Sequence, residues 1–124
     1  MPSILVVDDS KTIRNLLGYI LTSKGFIVDK APDGLIALEM IFTGNYDLVI
    51  TDINMPRMDG LKLITSIREE DSYKFLPIIV LTTESKEEDR RLGIKAGANI
   101  YLVKPSDPET LVANVNMLLS SRIS

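Results

Sequence analysis

Five short apolar runs alternate with five stretches of helical periodicity along this 124-residue chain. That alternation restricts the folds open to it more than any other feature. The first run, Ile4-Leu5-Val6-Val7, stops at Asp8-Asp9, and Ser10 is placed to cap a helix. Ile13, Leu16, Leu17, Ile20 and Leu21 follow on one helical face, with Gly25 as the stop. Phe26 to Ala31 alternates apolar and charged residues, the pattern of a half-exposed edge strand. Pro32-Asp33-Gly34 turns the chain into a short helix carrying Leu35, Leu38 and Phe42, which Gly44 ends. Leu48-Val49-Ile50-Thr51 closes at Asp52. A loop from Asn54 to Gly60 then leads to a helix with Leu61, Ile64 and Ile67 inward. Ile78-Ile79-Val80-Leu81 ends at Thr82-Thr83. Ser85 and Glu88 have capping-box spacing for a helix that Gly97 stops. Ile100-Tyr101-Leu102-Val103 ends at Lys104-Pro105. Asp107 as N-cap and Pro108 at the first helical position open a last helix that buries Leu111, Val115, Leu118 and Leu119 and ends near Ser120.

Strand–helix repeated five times implies an α/β fold, a parallel sheet with helices on both faces. Solidly apolar central strands agree with burial on both sides. With the second strand at an edge, right-handed crossovers leave the doubly wound five-stranded order 2-1-3-4-5. Its switch point lies between strands one and three. The length suits one domain over residues 1–124, and the five units leave no room for an output domain within it. Fourteen basic and 17 acidic residues give a net charge of −3, which argues against nucleic acid as the ligand. The absence of cysteine excludes disulfides and thiolate metal sites. Met1-Pro2-Ser3 leads straight into the first apolar run, so no signal peptide is expected, and no apolar run approaches the roughly 20 residues of a membrane span. A cytoplasmic protein without membrane contact is expected.

Five polar side chains end the strands: Asp8 and Asp9 after the first, Asp52 after the third, Thr82 after the fourth, Lys104 after the fifth. In an open α/β sheet that edge binds ligands. Three converging carboxylates repel one another unless a cation joins them. An all-oxygen donor set favours Mg²⁺, or Mn²⁺ of similar preference. Asp52 can then serve as a nucleophile that forms an aspartyl phosphate. Mg²⁺ and the Lys104 ammonium would neutralise the phosphoryl oxygens, and the Thr82 hydroxyl would donate to them. Each residue alone has an ordinary reading, as a cap, a turn residue, a strand end or a solvated charge. Five suitable types at the right strand ends are hard to reach by chance.

The pieces Leu5-Val6-Val7-Asp8-Asp9-Ser10, Asp52-Ile53-Asn54-Met55-Pro56, Met58-Asp59-Gly60, Leu81-Thr82 and Lys95-Ala96-Gly97-Ala98, with Lys104-Pro105, resemble the response-regulator receiver domain, here of the stand-alone type. They span nearly the whole chain. The resemblance implies a flavodoxin-like fold and a two-component signalling role, chemotaxis-like or within a phosphorelay. It makes Asp52 the phosphoacceptor and implies Mg²⁺ held by Asp9, Asp52 and the backbone carbonyl of Asn54, with Asp8 helping through water. Thr82 and Tyr101 become a switch pair, Thr82 moving toward the phosphate and Tyr101 turning inward. Lys104 contacts the phosphoryl group, and its bond to Pro105 is expected to be cis. Asn54 and Glu84 stand where the family tunes the lifetime of the phosphate. Ser106 departs from the pattern, in a position that is often Phe.

The chain has no histidine, so the donor must be a separate histidine kinase or histidine phosphotransfer protein. The fourth helix, with Lys86-Glu87-Glu88-Asp89-Arg90-Arg91, is mostly charged. It has little burial energy and is cheap to shift. Phosphorylation adds roughly −1.5 to −2 charge beside strands four and five, which is expected to bias helix four, strand five and helix five toward binding a target protein. The protein is expected to be a monomer whose only activities are self-phosphorylation and self-dephosphorylation. The competing reading is a phosphatase-like hydrolase with an aspartate nucleophile. Such enzymes place the nucleophile after strand one and add a cap domain, which this length does not accommodate.

Overall fold

The computed structural model describes residues 1–123. Strands β1 (Ser3–Val7), β2 (Ile27–Ala31), β3 (Leu48–Thr51), β4 (Ile78–Thr82) and β5 (Ile100–Val103) alternate with helices α1 (Lys11–Thr22), α2 (Gly34–Thr43), α3 (Gly60–Glu69), α4 (Glu87–Ala96) and α5 (Pro108–Ile123). A single 3-10 turn, Asp71–Tyr73, follows α3. The strands form one sheet in the order β2-β1-β3-β4-β5, and every pairing is parallel. β-branched residues dominate β1, β3 and β4, as a pleated and enclosed surface favours.

Side chains alternate across the sheet, and the two faces bury different sets. Leu5, Val7, Val49, Ile78, Val80 and Tyr101 pack with Ala37, Ile41, Leu63, Ile64 and Ile67, beneath α2, α3 and α4. Ile4, Val6, Leu48, Ile50, Ile79 and Leu81 pack with Leu17, Leu21, Leu111 and Val115, beneath α1 and α5. β2 is the expected edge, with only Ala31 fully buried.

Of the expected caps, Ser10 accepts from the Ile13 amide and Asp107 from Thr110. Two further caps had not been expected, Asp33 accepting from Ile36 and Asp59 from Lys62. Gly25 and Gly97 take positive φ of 93° and 127°, where a Cβ is strained. The Lys104–Pro105 bond is cis.

Three local expectations fail. Ser85 and Glu88 form no capping box: α4 begins at Glu87 and its N-cap is Lys86, which makes no side-chain cap bond. In α2 the buried positions are Gly34, Ala37 and Ile41, whereas Leu35 and Phe42 are exposed. That helix is apolar nearly all round, so periodicity could not choose its inward face. Leu16 is half exposed, because Leu17, Gly18 and Leu21 are the α1 residues turned to the sheet.

Candidate functional site

Asp8 and Asp52 each follow the last residue of a fully buried strand end, and both are themselves buried at 2% and 8% exposure. Each backbone is tied to the neighbouring strand, since the Asp52 amide donates to the Val7 carbonyl of β1 at 3.0 Å and the Asp8 amide to the Ala31 carbonyl of β2 at 3.1 Å. One oxygen of each carboxylate is satisfied locally. Asp8 Oδ1 accepts from the Ser10 amide at 2.9 Å, and Asp52 Oδ1 from the Ile53 amide at 2.6 Å. The remaining oxygens share one cation. Lys104 Nζ lies 2.7 Å from Asp8 Oδ2 and 3.0 Å from Asp52 Oδ2. Burial alone would lower the Lys104 ammonium, but the hydrogen bonds and charges of the two carboxylates outweigh it and hold the group above its ordinary value.

Asp9 is exposed at the rim. Carboxylate oxygens of Asp8, Asp9 and Asp52 all fall within 4.8 Å of one another. A set of hard oxygen donors, one of them open to solvent, suits an ion that keeps several waters, and Mg²⁺ fits that description. Asn54 sits two residues beyond Asp52. Its side-chain amide donates to Glu84 Oε1, so the two residues expected to tune the phosphate touch each other across the mouth of the site.

Thr82 is fully buried, and its Oγ1 accepts from the Glu84 amide at 3.3 Å. Tyr101 is inward, 4% exposed, with its hydroxyl donating to the Glu84 carbonyl at 2.8 Å. Burial raises its phenol, and the charges of Asp89 and Glu84 add to that. Arg90 of α4 stacks 5.2 Å above the ring. A Cβ on Gly93 would come within 2.9 Å of the ring's Cδ2, so α4 rests directly on Tyr101. Ser106 is half-buried beyond Lys104. Seven of the eight residues expected at the site lie at or just beyond the C-terminal ends of the strands, Asp8, Asp9, Asp52 and Lys104 around the acidic pocket and Thr82, Asn54 and Glu84 toward α4. The eighth, Tyr101, lies within β5 opposite Val80 and joins them through its hydroxyl on Glu84.

Several supporting residues escaped sequence reasoning. The Arg14 guanidinium donates to the Asp8 carbonyl at 2.7 Å. Gly60 donates to the Ile53 carbonyl at 2.8 Å, and a Cβ there would stand 2.1 Å from the Asp52 carbonyl oxygen. Asp33 and Arg57 form an ion pair of 2.9 Å beside the loop after β3. Only the glycine left a trace in the sequence, as the end of Met58-Asp59-Gly60.

Residues 4–116 match the response regulator receiver domain family. A Vibrio cholerae chemotaxis protein, CheY-3, is 42% identical over 109 residues, covering 87% of this chain and 84% of that protein. The V. cholerae CheY4 structure superposes with a TM-score of 0.90 at 39% identity, over 95% and 98% of the two chains. The response regulator TrrA of Thermotoga maritima, solved in complex with Mg²⁺-BeF, gives a TM-score of 0.86 at 42% identity over 95% and 99%. This chain belongs to the response regulator receiver domain family, and its role is in two-component signalling. The hydrolase alternative is not favoured. Receiver domains of this family bind Mg²⁺ at an acidic pocket and work with histidine kinases or phosphotransfer proteins and with downstream targets. Among the described residues no helix is long and apolar enough to cross a membrane.

Proposed function

We propose that Asp52 accepts a phosphoryl group from a phosphohistidine on another protein, and that the protein is a cytoplasmic, monomeric switch. The observation that carries the reading is the sharing of Lys104 Nζ between two buried carboxylates. Asp52 Oδ2 forms the bond to phosphorus while the P–N bond of the donor breaks, and the departing imidazole takes its proton from solvent. Asp8, Asp9, Asp52 and the Asn54 carbonyl would hold Mg²⁺, or Mn²⁺ in its place. The ion, when bound, supplies positive charge against the phosphoryl oxygens.

The chain's own residues do the rest. Lys104 already sits at Asp52 and neutralises charge as the group arrives. Ile53's amide fixes Oδ1 and leaves Oδ2 for attack. Thr82, at the neighbouring strand end, donates its hydroxyl to the phosphoryl group, giving up its bond from the Glu84 amide. Tyr101 and α4 feel that exchange through Glu84, the residue bonded to Thr82, Asn54 and Tyr101 alike. The α4–β5–α5 face then binds the target protein. Asn54 and Glu84 set how readily water reaches the phosphate and hence its lifetime, so self-phosphorylation from small donors and self-dephosphorylation are the activities expected.

The test is incubation with acetyl phosphate and Mg²⁺ followed by intact-mass measurement. One phosphate adduct is expected on the wild type, none without Mg²⁺ and none on Asp52→Asn. An undiminished adduct on that variant would remove the assignment.

A further inference from the structure

We infer that the Asp33–Arg57 ion pair is a positioning device for the metal-binding loop after β3. The inference rests on the proposed reading of Asp8, Asp9, Asp52 and Asn54 as the Mg²⁺ site. Arg57 is the only residue other than glycine with positive φ among the described residues, at 66°, a conformation that side chains with a Cβ rarely adopt. It is the centre of a three-residue turn, since the Met58 amide donates to the Pro56 carbonyl at 2.7 Å. A turn of that kind with positive φ is the strained hand. Such strain persists only where surrounding structure imposes it.

The surroundings supply that constraint. Arg57 Nη2 and Nε lie 2.9 Å and 3.0 Å from Asp33 Oδ2, and the Asp33 side chain is 7% exposed. Its other oxygen, Oδ1, caps α2 through the Ile36 amide at 3.0 Å. Beside the pair, the Gly34 amide donates to the Met58 carbonyl at 3.1 Å. A Cβ on Gly34 would come within 2.4 Å of that carbonyl oxygen, so the two segments are in closest contact. The far end of the loop is fixed by Gly60 against Ile53 and Asp52.

The pair also completes a ring. Asp52 is bonded to Val7 and Asp8 to Ala31. Asp33, two residues after Ala31, reaches over to Arg57, five residues after Asp52. Three strand ends are thereby tied crosswise around the acidic pocket. Cutting the Asp33–Arg57 link frees the loop that carries Asn54 without touching any carboxylate of the pocket. Arg57 is thus a positioning residue, acting through the backbone of residues 53–58.

Mg²⁺ titration of isotopically labelled protein, followed by amide chemical shifts, tests this without measuring phosphorylation. The variants are Arg57→Ala, Arg57→Gly, Asp33→Asn and the Arg57→Ala/Asp33→Asn double. Asparagine keeps the helix cap, and glycine relieves the backbone strain while removing the charge. Each single variant is expected to raise the Mg²⁺ dissociation constant roughly tenfold, the low end for residues that support metal ligands. The double is expected to be no weaker than either single, because both remove one interaction. A change below about twofold in Arg57→Ala and Asp33→Asn, or an additive double, overturns the inference. So does wild-type affinity in Arg57→Gly, which would leave backbone strain as the whole effect. A wild type without saturable shifts at Asp8, Asp9 and Asp52 overturns the metal site itself, and this inference with it.

Discussion

The two sides of the site are built to different standards. On one side, β1 and β3 end in runs with no exposed residue, and the loops beyond them are fastened by Ser10, Asp33, Asp59 and Gly60. On the other side stands α4, where Gly93 is the only buried residue, Leu92 and Ile94 are 37% and 46% exposed, and no side chain caps the first turn. Asp89, in that turn, has a carboxylate oxygen without a hydrogen-bond partner among the described residues. The carboxylates of the pocket sit on the tightly packed side. The element that borders them sits on the looser side, and the two meet at Tyr101 and Glu84.

The comparison is broken or sharpened most strongly by adding one methyl group to each side. Gly60→Ala forces a Cβ against backbone at Asp52 and is expected to cost about 3 kcal/mol, the upper end for overpacking. Gly93→Ala meets only the Tyr101 ring, which can turn away, so about 1 kcal/mol is expected. Urea unfolding of both variants measures the difference, and equal losses would contradict it. Hydrogen exchange comes next. Amides of α4 are expected to open at a free energy at least ~2 kcal/mol below those of β1 and β3, and phosphorylation should alter exchange within residues 83–121 and leave β1 and β3 unchanged. The smallest effect is the missing cap. Lys86 has the extended backbone of an N-cap, φ −69° and ψ 146°, so Lys86→Asp should steady the first turn by about 1 kcal/mol. Thermal melting would register the gain, and a phosphorylation-dependent exchange change that persists undiminished would show that fraying of α4 plays no part in the response.

The alternation of strands and helices and the acids at strand ends were legible in the sequence because each depends on short-range information, and the strand order followed from crossover handedness with β2 at an edge. An apolar run ending in a polar residue marks a strand end, and the edge character of β2 follows from its alternation. What failed was equally physical. Ser85 and Glu88 have the spacing of a capping box, but α4 starts at Glu87, so the cap position falls on Lys86. The α2 stripe of Leu35, Leu38 and Phe42 competed with Ala37 and Ile41 on a helix with scarcely a polar side, and packing chose the smaller pair. Arg57 and Asp33 lie 24 residues apart, and neither the positive φ nor the ion pair has any signature in local composition.

The sequence by itself determined the parallel sheet, its switch point and the set of carboxylates, hydroxyl and ammonium at one edge, because periodicity and chain reversal act residue by residue. Tertiary structure alone decided that Lys104 bridges Asp8 and Asp52 with its ammonium, that Tyr101 lies inward under Gly93 and Arg90, and that Arg57 is bent to meet Asp33. Those contacts join residues from different βα units. Their geometry is fixed only once the strands are in register and the buried charges must find partners, which no local pattern can specify.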